Sequence, residues 1–581
     1  MTDGLWVPTS TRPVLMGTRH LVSAGHYLAA EAGNRILSAG GNAIDAGVAT
    51  GVCINVLQCD LTNIGGVAPI VVYQAASGKV ETISGLGWWP KRTDLDYIRN
   101  DCGGALPGGA LNAVVPSAMD AWLVALERYG TKPLAEVLAP AIELASDGFA
   151  MHPVMHDTLS SGLGRNLHQD PAMATAFFRD GQLLPVGALV RLPELARTLE
   201  LLVEAERGAH TRQGGIRAAR DRFYTGDIGE AIASTSAERG GWLAADDLAE
   251  FHVEVEPALR TTYRGVEVFG CPPWCQGIVA LETLSILDGY DLASLEPGGA
   301  DAFHLIVEAL KAAFADRDRY VGDPRFVEVP ADGMLSPDYA ARWRERIDLS
   351  RATSGMPEPG DPWEYSSLAH AKPDRWHFPE PVPGTPPPDT SYLCVVDQHG
   401  NAFSATPSDG IGGAAIVAGY GFAISERGAQ SWGDPTHPSA VEPKKRPRLT
   451  PAPGMVRFPD GRIMPYGTPG NDVQPQAMVQ FLVNLLDFGM DLQQAVEAPR
   501  LATYSFPASS HPHPYRPGLG RIESRVAADV VDDLRSRGHR LELWPEWIGV
   551  AGSLGAVLQS EEPPILHGAA DPRRTAYVIG R

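Results

Sequence analysis

The sequence has few of the features that mark several large classes of protein. Only six cysteines occur in 581 residues, too few for a disulfide framework, so we expect six reduced thiols. No stretch reaches the roughly 18 unbroken apolar residues of a membrane span, and the first residues have neither the charged nor the apolar segment of a secretory signal. We therefore expect a cytoplasmic protein with no membrane partner.

Positive charge is also scarce. Lys and Arg number 48 against 69 Asp and Glu, which gives a formal net charge of −21. A surface of this sign repels nucleic acid and anionic membranes. The one dense cationic run, at 444–448, is short and interrupted by proline. The sequence therefore predicts no nucleic-acid partner.

Motifs for cofactors and for common nucleophiles are missing or incomplete. Residues 410–415 fit a loose Gly-x-Gly-x-x-Ala pattern, but the next residues, 416–422, cannot form the long helix of a dinucleotide site. The pairs His152/His156 and His511/His513 have no acidic or cysteine partner at metal-binding spacing. No Gly-x-Ser-x-Gly elbow occurs. We therefore expect neither a metal nor an organic cofactor.

What is present is the pattern of a large α/β protein. The apolar fraction of 44% is ample for a large core, and the length corresponds to about two to four domains. Helical spacing of apolar residues predicts helices within 26–58, 116–149 and 299–321. Strands are predicted within 67–84 and 260–273.

The character of the chain changes near residue 390. Residues 353–389 hold many prolines and little periodicity, which predicts a linker. A hairpin is predicted for 391–406, with its turn at Asp397–Asn401. Further on, 461–500 reads as a strand, a turn and a long helix.

Thr390 stands where the linker meets the hairpin, and two interpretations are open. Threonine often opens a strand. Alternatively, Thr390 becomes a chain N-terminus, where its α-amine serves its own hydroxyl as the base. The reference pKa of that amine, about 7.7–8.0, is close to working pH. Attack of the hydroxyl on the Asp389 carbonyl, an N-to-O acyl shift and hydrolysis of the ester would cut the chain.

Segments spread over nearly the whole chain resemble one family. In order they are 28–49, 63–66, 115–149, 389–406, 442–453, 466–476, 495–500 and 568–573. Together they resemble the gamma-glutamyltransferase family of N-terminal-nucleophile hydrolases. Residues 426–432 and 466–476 look more like its oxamate-amidohydrolase-like branch than its glutathione-processing branch. The resemblance favours the nucleophile interpretation of Thr390.

The resemblance implies a four-layer α-β-β-α sandwich that is made as one precursor. Cleavage between Asp389 and Thr390 would give a large chain, 1–389, and a small chain, 390–581, which are each other's partners. A homodimer of processed units is an open expectation for the assembly.

The resemblance also implies a set of catalytic residues. Thr390 stands at the family's nucleophile. Ser408 stands where a second threonine steadies the nucleophile, and a serine keeps the needed hydroxyl. Gly470 and Asn471 stand where two successive glycines give main-chain N–H groups to the oxyanion.

The residues that clamp a glutamyl head group are replaced. Leu86 stands in place of an arginine, Leu449 and Thr450 in place of two serines, Gln430 in place of an aspartate and Gly410 in place of an asparagine. A charged head group that loses its ion-pair partners loses several kcal/mol of binding. The resemblance thus implies intact catalytic machinery with no glutamyl clamp.

Arg427 offers a replacement cation, because an arginine can bind a carboxylate with two hydrogen bonds. The other interpretation of Arg427 is a solvated loop charge. We take Arg427, Gln430 and Thr450 as candidate substrate-binding residues and expect short amides with a terminal carboxylate as substrates.

These observations predict an N-terminal-threonine amidohydrolase that cleaves a small acyl amide through an acyl-enzyme. Two alternatives stay open. One is a true gamma-glutamyl hydrolase or transferase with a rearranged clamp. The other is an uncleaved family member that acts as a binding protein. Such a protein would remain a single chain after purification.

Overall fold

The structure is a computed structural model that describes residues 9–161, 167–168, 170–368, 380–384, 390–412, 415–561 and 565–581. Asp389, the residue before the predicted cut, lies outside the described residues, as does much of the predicted linker. The division into a large and a small chain therefore stays a prediction.

The described residues form two seven-stranded sheets, in which all neighbouring strands are antiparallel. The first sheet contains, in spatial order, Tyr577–Gly580, Leu21–Ala24, Leu393–Val396, Ala402–Ala405, Ile70–Gln74, Lys79–Ile83 and Val255–Pro257. The second contains Leu15–Gly17, Leu566–Ala570, Gly555–Gln559, Ile463–Gly467, Gly454–Arg457, Val266–Gly270 and Leu259–Tyr263.

Each sheet carries a layer of helices on its outer side. The helices on the side of the first sheet are Tyr27–Ser38, Ala43–Leu57, Ala118–Tyr129, Leu134–Asp147, Pro193–Arg207 and Arg212–Tyr224. Those on the side of the second are Ile278–Leu287, Ala300–Tyr320, Pro337–Arg346, Gln474–Leu486 and Leu492–Glu497. No helix within the described ranges is long and apolar enough to cross a membrane.

Shorter elements surround these layers. The remaining α-helices of the described residues are Pro153–Ser160, Pro171–Phe177, Asp227–Glu238, Ala245–Glu250, Ala331–Met334 and Ala528–Ser536. The small sheets pair Phe149–Ala150 with Leu189–Val190, Phe178–Arg179 with Gln182–Leu183, and Ile416–Val417 with Phe422–Ala423, and they join Leu501–Thr503, Leu519–Glu523 and Arg540–Trp544.

Alternation along the strands decides which core each side chain enters. Leu393 joins the core beneath the first helical layer, whereas Cys394 joins the core between the two sheets. In the second sheet Met455 joins the core between the sheets, and Val456 faces the second helical layer. Successive side chains of a strand point to opposite faces. The order is therefore helix, sheet, sheet, helix, and the predicted four-layer α-β-β-α sandwich is confirmed.

The helix Ala43–Leu57 is buried all round, as its small residues predict. The helix begins with a capping box at Asn42. The Asn42 side chain accepts a hydrogen bond from the Asp45 N–H, and the Asp45 carboxylate accepts one from the Asn42 N–H. A Cβ at Gly47 would lie 2.4 Å from the Phe403 ring. The absence of a side chain there lets the helix pack directly on the first sheet.

The predicted hairpin is confirmed, and its register fixes a relationship between distant residues. Leu393 pairs with Ala405 across the two strands. The turn Asp397–Asn401 is closed by a main-chain hydrogen bond of 3.1 Å between its ends. Continued three residues beyond the strands, the same register places Thr390 opposite Ser408.

Candidate active site

The hydroxyl groups of Thr390 and Ser408 are in hydrogen-bond contact. Thr390 Oγ1 lies 2.7 Å from Ser408 Oγ, and both residues are fully buried. Ser408 is held by Val67, whose carbonyl accepts the Ser408 N–H at 3.0 Å and whose N–H donates to the Ser408 carbonyl at 3.2 Å. The structure thus brings together two of the predicted catalytic residues.

The main chain of Thr390 is held on both sides. Its N–H donates to the Leu61 carbonyl at 3.2 Å, and its carbonyl accepts from Arg574 Nη1 at 3.1 Å. Its φ is 99°, which glycine adopts easily and a β-branched residue rarely does. Such a conformation costs about 1–3 kcal/mol. The bond predicted to be cut therefore adjoins a strained residue.

Arg427 contacts the predicted catalytic serine. It begins the short 3₁₀ helix Arg427–Gln430, and its Nη2 donates to Ser408 Oγ at 2.8 Å. The same atom lies 3.8 Å from Asp409 Oδ1. Because Ser408 Oγ accepts from Arg427, its own proton is available to Thr390 Oγ1. Arg427 belongs to the hydroxyl network of Thr390, and its role as a ligand of the substrate carboxylate stays a prediction.

Two carboxyl groups adjoin Arg427. Asp409 accepts a hydrogen bond from Ser425 Oγ. Burial raises the pKa of Glu426 to about 8, with a further contribution from the Asp409 charge and opposition from Arg427. Glu426 is therefore largely protonated at neutral pH, and Asp409 supplies the negative charge beside the guanidinium.

Gly470 and Asn471 form the turn after the strand Ile463–Gly467. Their φ values are 128° and 50°, which glycine adopts without steric cost and asparagine tolerates better than most residues. The helix Gln474–Leu486 begins just beyond, so its positive end adjoins the turn. This location favours negative charge, and the donation of the two N–H groups to an oxyanion stays a prediction.

Asp472 anchors this turn to the interior. Its Oδ1 accepts from Arg317 Nη1 at 2.5 Å and from Ser509 Oγ at 2.6 Å, and its Oδ2 accepts the Ser509 N–H at 2.9 Å. The Arg317 guanidinium lies over the rings of Phe314 and Phe506, 4.7 and 5.0 Å from their centres. The turn is thus held by a buried ion pair.

A cavity of about 100 Å³ opens beside the Gly470–Asn471 turn, and Tyr504 and Arg574 are among its lining residues. Since Arg574 also donates to the Thr390 carbonyl, the cavity adjoins the main chain of the predicted nucleophile. Sequence reasoning missed Arg574, although it directly follows the matching segment 568–573.

Gln430 and Thr450, the other two predicted substrate-binding residues, are hydrogen-bonded to each other. Gln430 Nε2 donates to Thr450 Oγ1 at 2.7 Å, and the Thr450 N–H donates to Gln430 Oε1 at 3.0 Å. Gln430 Nε2 also lies 3.3 Å from Ser510 Oγ. Both residues are buried. Their polar atoms bond within the protein, and their contact with a substrate stays a prediction.

The structure explains why two residues of the glutamyl clamp are replaced in this chain. Leu86 is buried in the core between the two sheets, where an arginine would lose its hydration. A Cβ at Gly410 would lie 2.1 Å from the Asp60 carbonyl oxygen. This backbone therefore has no room for an asparagine at position 410.

Asp60 is a buried carboxyl group near Thr390 that sequence reasoning missed. It precedes Leu61, whose carbonyl accepts the Thr390 N–H. Both of its carboxyl oxygens are buried. Burial raises the pKa of Asp60 to about 7, and the Thr158 hydroxyl, the Asp60 main chain and the Arg574 charge oppose the shift. The carboxyl group therefore changes charge near neutral pH.

Within the described residues, His304, Glu308 and His539 form the one group with three metal-ligating side chains close together. His304 Nδ1 lies 2.8 Å from His539 Nε2. The Lys311 ammonium lies 2.5 Å from Glu308 Oε1, so a cation of the chain already neutralises this carboxylate. The two histidines are 235 residues apart, which hides the group from any local motif.

The four-layer sandwich, with Thr390 just before a central strand, is the fold class of the N-terminal-nucleophile hydrolases. The family model described as gamma-glutamyltranspeptidase matches residues 29–580. The chain belongs to this family, whose members are hydrolases and transferases, and the protein is an enzyme of that kind.

Known relatives cover nearly all of the chain. The glutathione hydrolase-like YwrD proenzyme of Bacillus subtilis is 32% identical, over 97% of this chain and 99% of its own. The acylase ACY 1 proenzyme of Pseudomonas sp. strain SE83 is 33% identical, over 93% and 90%. The crystal structure of a cephalosporin acylase from Bacillus halodurans has a TM-score of 0.84 at 29% identity, covering 100% of this chain and 99% of its own.

Proposed function

We propose that the protein is a self-processed amidohydrolase that cleaves a small acyl amide with the hydroxyl of Thr390. The observation that carries this proposal is the 2.7 Å contact between Thr390 Oγ1 and Ser408 Oγ. Arg427 donates to the same serine at 2.8 Å. The three groups form a chain of hydrogen bonds that ends on the attacking oxygen.

The first step is cleavage of the precursor. Thr390 Oγ1 attacks the Asp389 carbonyl carbon, the C–N bond breaks, the hydroxyl proton passes to the released nitrogen, which becomes the Thr390 α-amine, and the acyl group is left on the oxygen as an ester. Water hydrolyses the ester, which frees the Asp389 carboxylate and regenerates the Thr390 hydroxyl. The positive φ of Thr390 supports this step, because cutting the bond releases the strain. The products are the chains 1–389 and 390–581.

The second step is acyl transfer from the substrate. The Thr390 α-amine takes the hydroxyl proton, and Oγ1 attacks the amide carbonyl. The N–H groups of Gly470 and Asn471 stabilise the oxyanion. The proton passes to the leaving amine, and water then hydrolyses the acyl-enzyme. Ser408, polarised by Arg427, stabilises negative charge on Oγ1 in both half-reactions.

The substrate is not of the glutathione type in this proposal. Leu86 stands in place of the arginine of the glutamyl clamp, and Gly410 stands in place of its asparagine. Neither residue can hold a glutamyl head group. The acylase among the relatives supports a broader acyl-amide class. The alternative of a true gamma-glutamyl hydrolase or transferase is favoured by the glutathione hydrolase-like relative. Turnover of gamma-glutamyl 4-nitroanilide at a rate above that of simple acyl anilides would favour that alternative.

Trapping of the acyl-enzyme tests the proposal. The processed protein is mixed with a panel of acyl 4-nitroanilides, quenched in acid within the first turnover and mapped by mass spectrometry. We expect the acyl mass on the peptide that begins at Thr390. An adduct on any other residue, or no turnover and no adduct with the whole panel, would contradict the proposed function.

A further inference from the structure

Ser408 and Asp409 are neighbours in the chain, and both of their side chains face the same atom of Arg427. Arg427 Nη2 lies 2.8 Å from Ser408 Oγ and 3.8 Å from Asp409 Oδ1. Successive side chains of an extended strand point to opposite sides, so this convergence requires a break in the strand. The φ of Asp409 is 80°, a left-handed conformation that ends the alternation. The backbone of Asp409 therefore turns its carboxylate toward the cation that donates to Ser408.

The segment 63–66 holds the backbone of Asp409 in this conformation. Asn63 Nδ2 donates to the Asp409 carbonyl at 2.5 Å. A Cβ at Gly66 would lie 2.3 Å from the Ser408 carbonyl oxygen and 2.9 Å from the Asp409 Cβ, so a glycine is needed beneath the turn. A residue other than glycine with this φ is uncommon, and such residues cluster at functional sites where the surrounding structure fixes them. This observation directs attention to the Asp409 side chain.

The second carboxylate oxygen of Asp409 is held by Ser425. The Ser425 hydroxyl donates to Asp409 Oδ2, and the Arg427 N–H donates to Ser425 Oγ at 3.3 Å. The main chain and the side chain of Arg427 are thus both tied to the same carboxylate. All three residues are buried, where charges are screened much less than at the surface. The carboxylate therefore has a fixed orientation beside the guanidinium.

Glu426 is a second carboxyl group beside Arg427, and it does not compete for the cation at neutral pH. Burial raises the pKa of Glu426 to about 8, the Asp409 charge adds to the shift, and Arg427 opposes it. Of these two carboxyl groups, Asp409 is therefore the charged one. A buried cation that loses a charged partner is strongly destabilised where it lies, so loss of the Asp409 charge would let the guanidinium move.

We propose that Asp409 is a positioning residue for the nucleophile and that it acts through Arg427 and Ser408. Its carboxylate holds the guanidinium against Ser408 Oγ. The guanidinium occupies the acceptor side of this hydroxyl, so the Ser408 proton points at Thr390 Oγ1, 2.7 Å away. Asp409 itself moves no proton. The inference rests on the proposed function, in which Thr390 Oγ1 is the attacking atom.

A double-mutant cycle between Asp409 and Arg427 tests this role. Asp409→Asn keeps the size of the side chain, and asparagine tolerates a positive φ. We expect it to lower kcat/KM on a neutral acyl 4-nitroanilide by about three- to thirtyfold. Because Asp409 acts through Arg427, the same change should have no further effect in the Arg427→Ala background. Losses that multiply, or an unchanged or higher kcat/KM in Asp409→Asn, would overturn the inference.

Asp180→Asn is the matched control, because Asp180 is an exposed aspartate that also has a positive φ, 53°. We expect this variant to keep the full activity. Ser425→Ala reaches the same carboxylate by another route, since it removes the hydroxyl that orients Asp409 Oδ2. It should lower kcat/KM by a smaller factor than Asp409→Asn does. Full activity of Ser425→Ala would show that the orientation of the carboxylate has no effect, which would also overturn the inference.

The location of Arg427 separates this inference from the proposed function. Crystal structures of the unaltered enzyme and of Asp409→Asn need no turnover. We expect Arg427 Nη2 to be within hydrogen-bond distance of Ser408 Oγ in the first and beyond about 3.5 Å in the second. A guanidinium that stays on Ser408 Oγ in Asp409→Asn would overturn the inference and leave the proposed function intact. Absence of any acyl-enzyme on Thr390 would refute the proposed function, and the two crystal structures would still decide whether Asp409 holds Arg427.

Discussion

Thr390 Oγ1 and Ser408 Oγ lie 2.7 Å apart in the buried interior, although 18 residues separate them along the chain. The hairpin that joins them has a fixed register, and this register places the two residues opposite each other. Arg427 donates to the same serine. The hydroxyl of Ser408 is therefore the link between a buried cation and the proposed nucleophile.

Replacement of Ser408 by alanine should lower turnover of any accepted amide by about ten- to a thousandfold, the effect of losing one good polar interaction at the reacting oxygen. The measurement is kcat/KM on an acyl 4-nitroanilide. Ser408→Thr keeps the hydroxyl and should retain most of the activity. The melting temperature should change little in either variant. Unchanged turnover in Ser408→Ala would remove Ser408 from the mechanism.

Replacement of Arg427 by alanine distinguishes the two roles considered for this residue. If Arg427 acts through Ser408, acidic and neutral amides should lose a similar factor in kcat/KM, about tenfold or more. We expect this result, because the guanidinium contacts Ser408 and does not line the cavity. A loss of kcat/KM confined to substrates with a carboxylate would show instead that Arg427 binds the carboxylate of the substrate.

Thr390 and Ser408 were predicted together from the resemblance, and the register set by the turn Asp397–Asn401 explains why they meet. The contact of Arg427 with Ser408 could not be predicted in this way. It depends on the path of the chain between the strand Ala402–Ala405 and the 3₁₀ helix at Arg427, which no periodicity fixes. The prediction was that Arg427 binds a carboxylate of the substrate, and that role stays a prediction.

Replacement of Gly410 by asparagine would restore the residue type of the glutamyl clamp, but we expect it to destabilise the protein. The new Cβ would lie 2.1 Å from the Asp60 carbonyl oxygen, and such overpacking costs about 1–3 kcal/mol. A fall in melting temperature checks this. Gly108→Asn is the control, because a Cβ at Gly108 meets nothing within 4 Å. Equal melting temperatures of the two variants would contradict the steric argument.

Replacement of Asp60 by asparagine should change how stability depends on pH. The folded-state pKa of Asp60 is about 7, whereas the unfolded chain ionises near 3.9. The stability contributed by the neutral carboxyl group is fully present below about pH 4 and is lost as pH rises through about 7. The loss amounts to at most about 4 kcal/mol.

The measurement for Asp60 is the free energy of unfolding at pH 4.5 and pH 8, in a Thr390→Ala background that we expect to stay one chain. The chain with Asp60 should lose more stability over this interval than the Asp60→Asn variant does. Parallel pH profiles would show that Asp60 ionises normally in the folded protein.

Local spacing predicted individual helices and strands, and the sandwich was predictable only because the family segments appear in order. The cavity was not predictable from spacing. Arg516 and Arg521 lie near the turn of Gly470 only in space, and they belong to the segment around the strand Leu519–Glu523. The raised pKa of Asp60 likewise depends on burial by distant parts of the chain.

Self-cleavage before Thr390 is the central claim, and the mass and first residue of the small chain test it most directly. Dividing 62.1 kDa in proportion to residue number gives fragments of about 41 and 21 kDa. We expect the smaller one to begin at Thr390, and we expect Thr390→Ala to remain a single chain because the attacking hydroxyl is gone. A protein that stays whole, or efficient cutting of the Thr390→Ala variant at the same bond, would contradict the account.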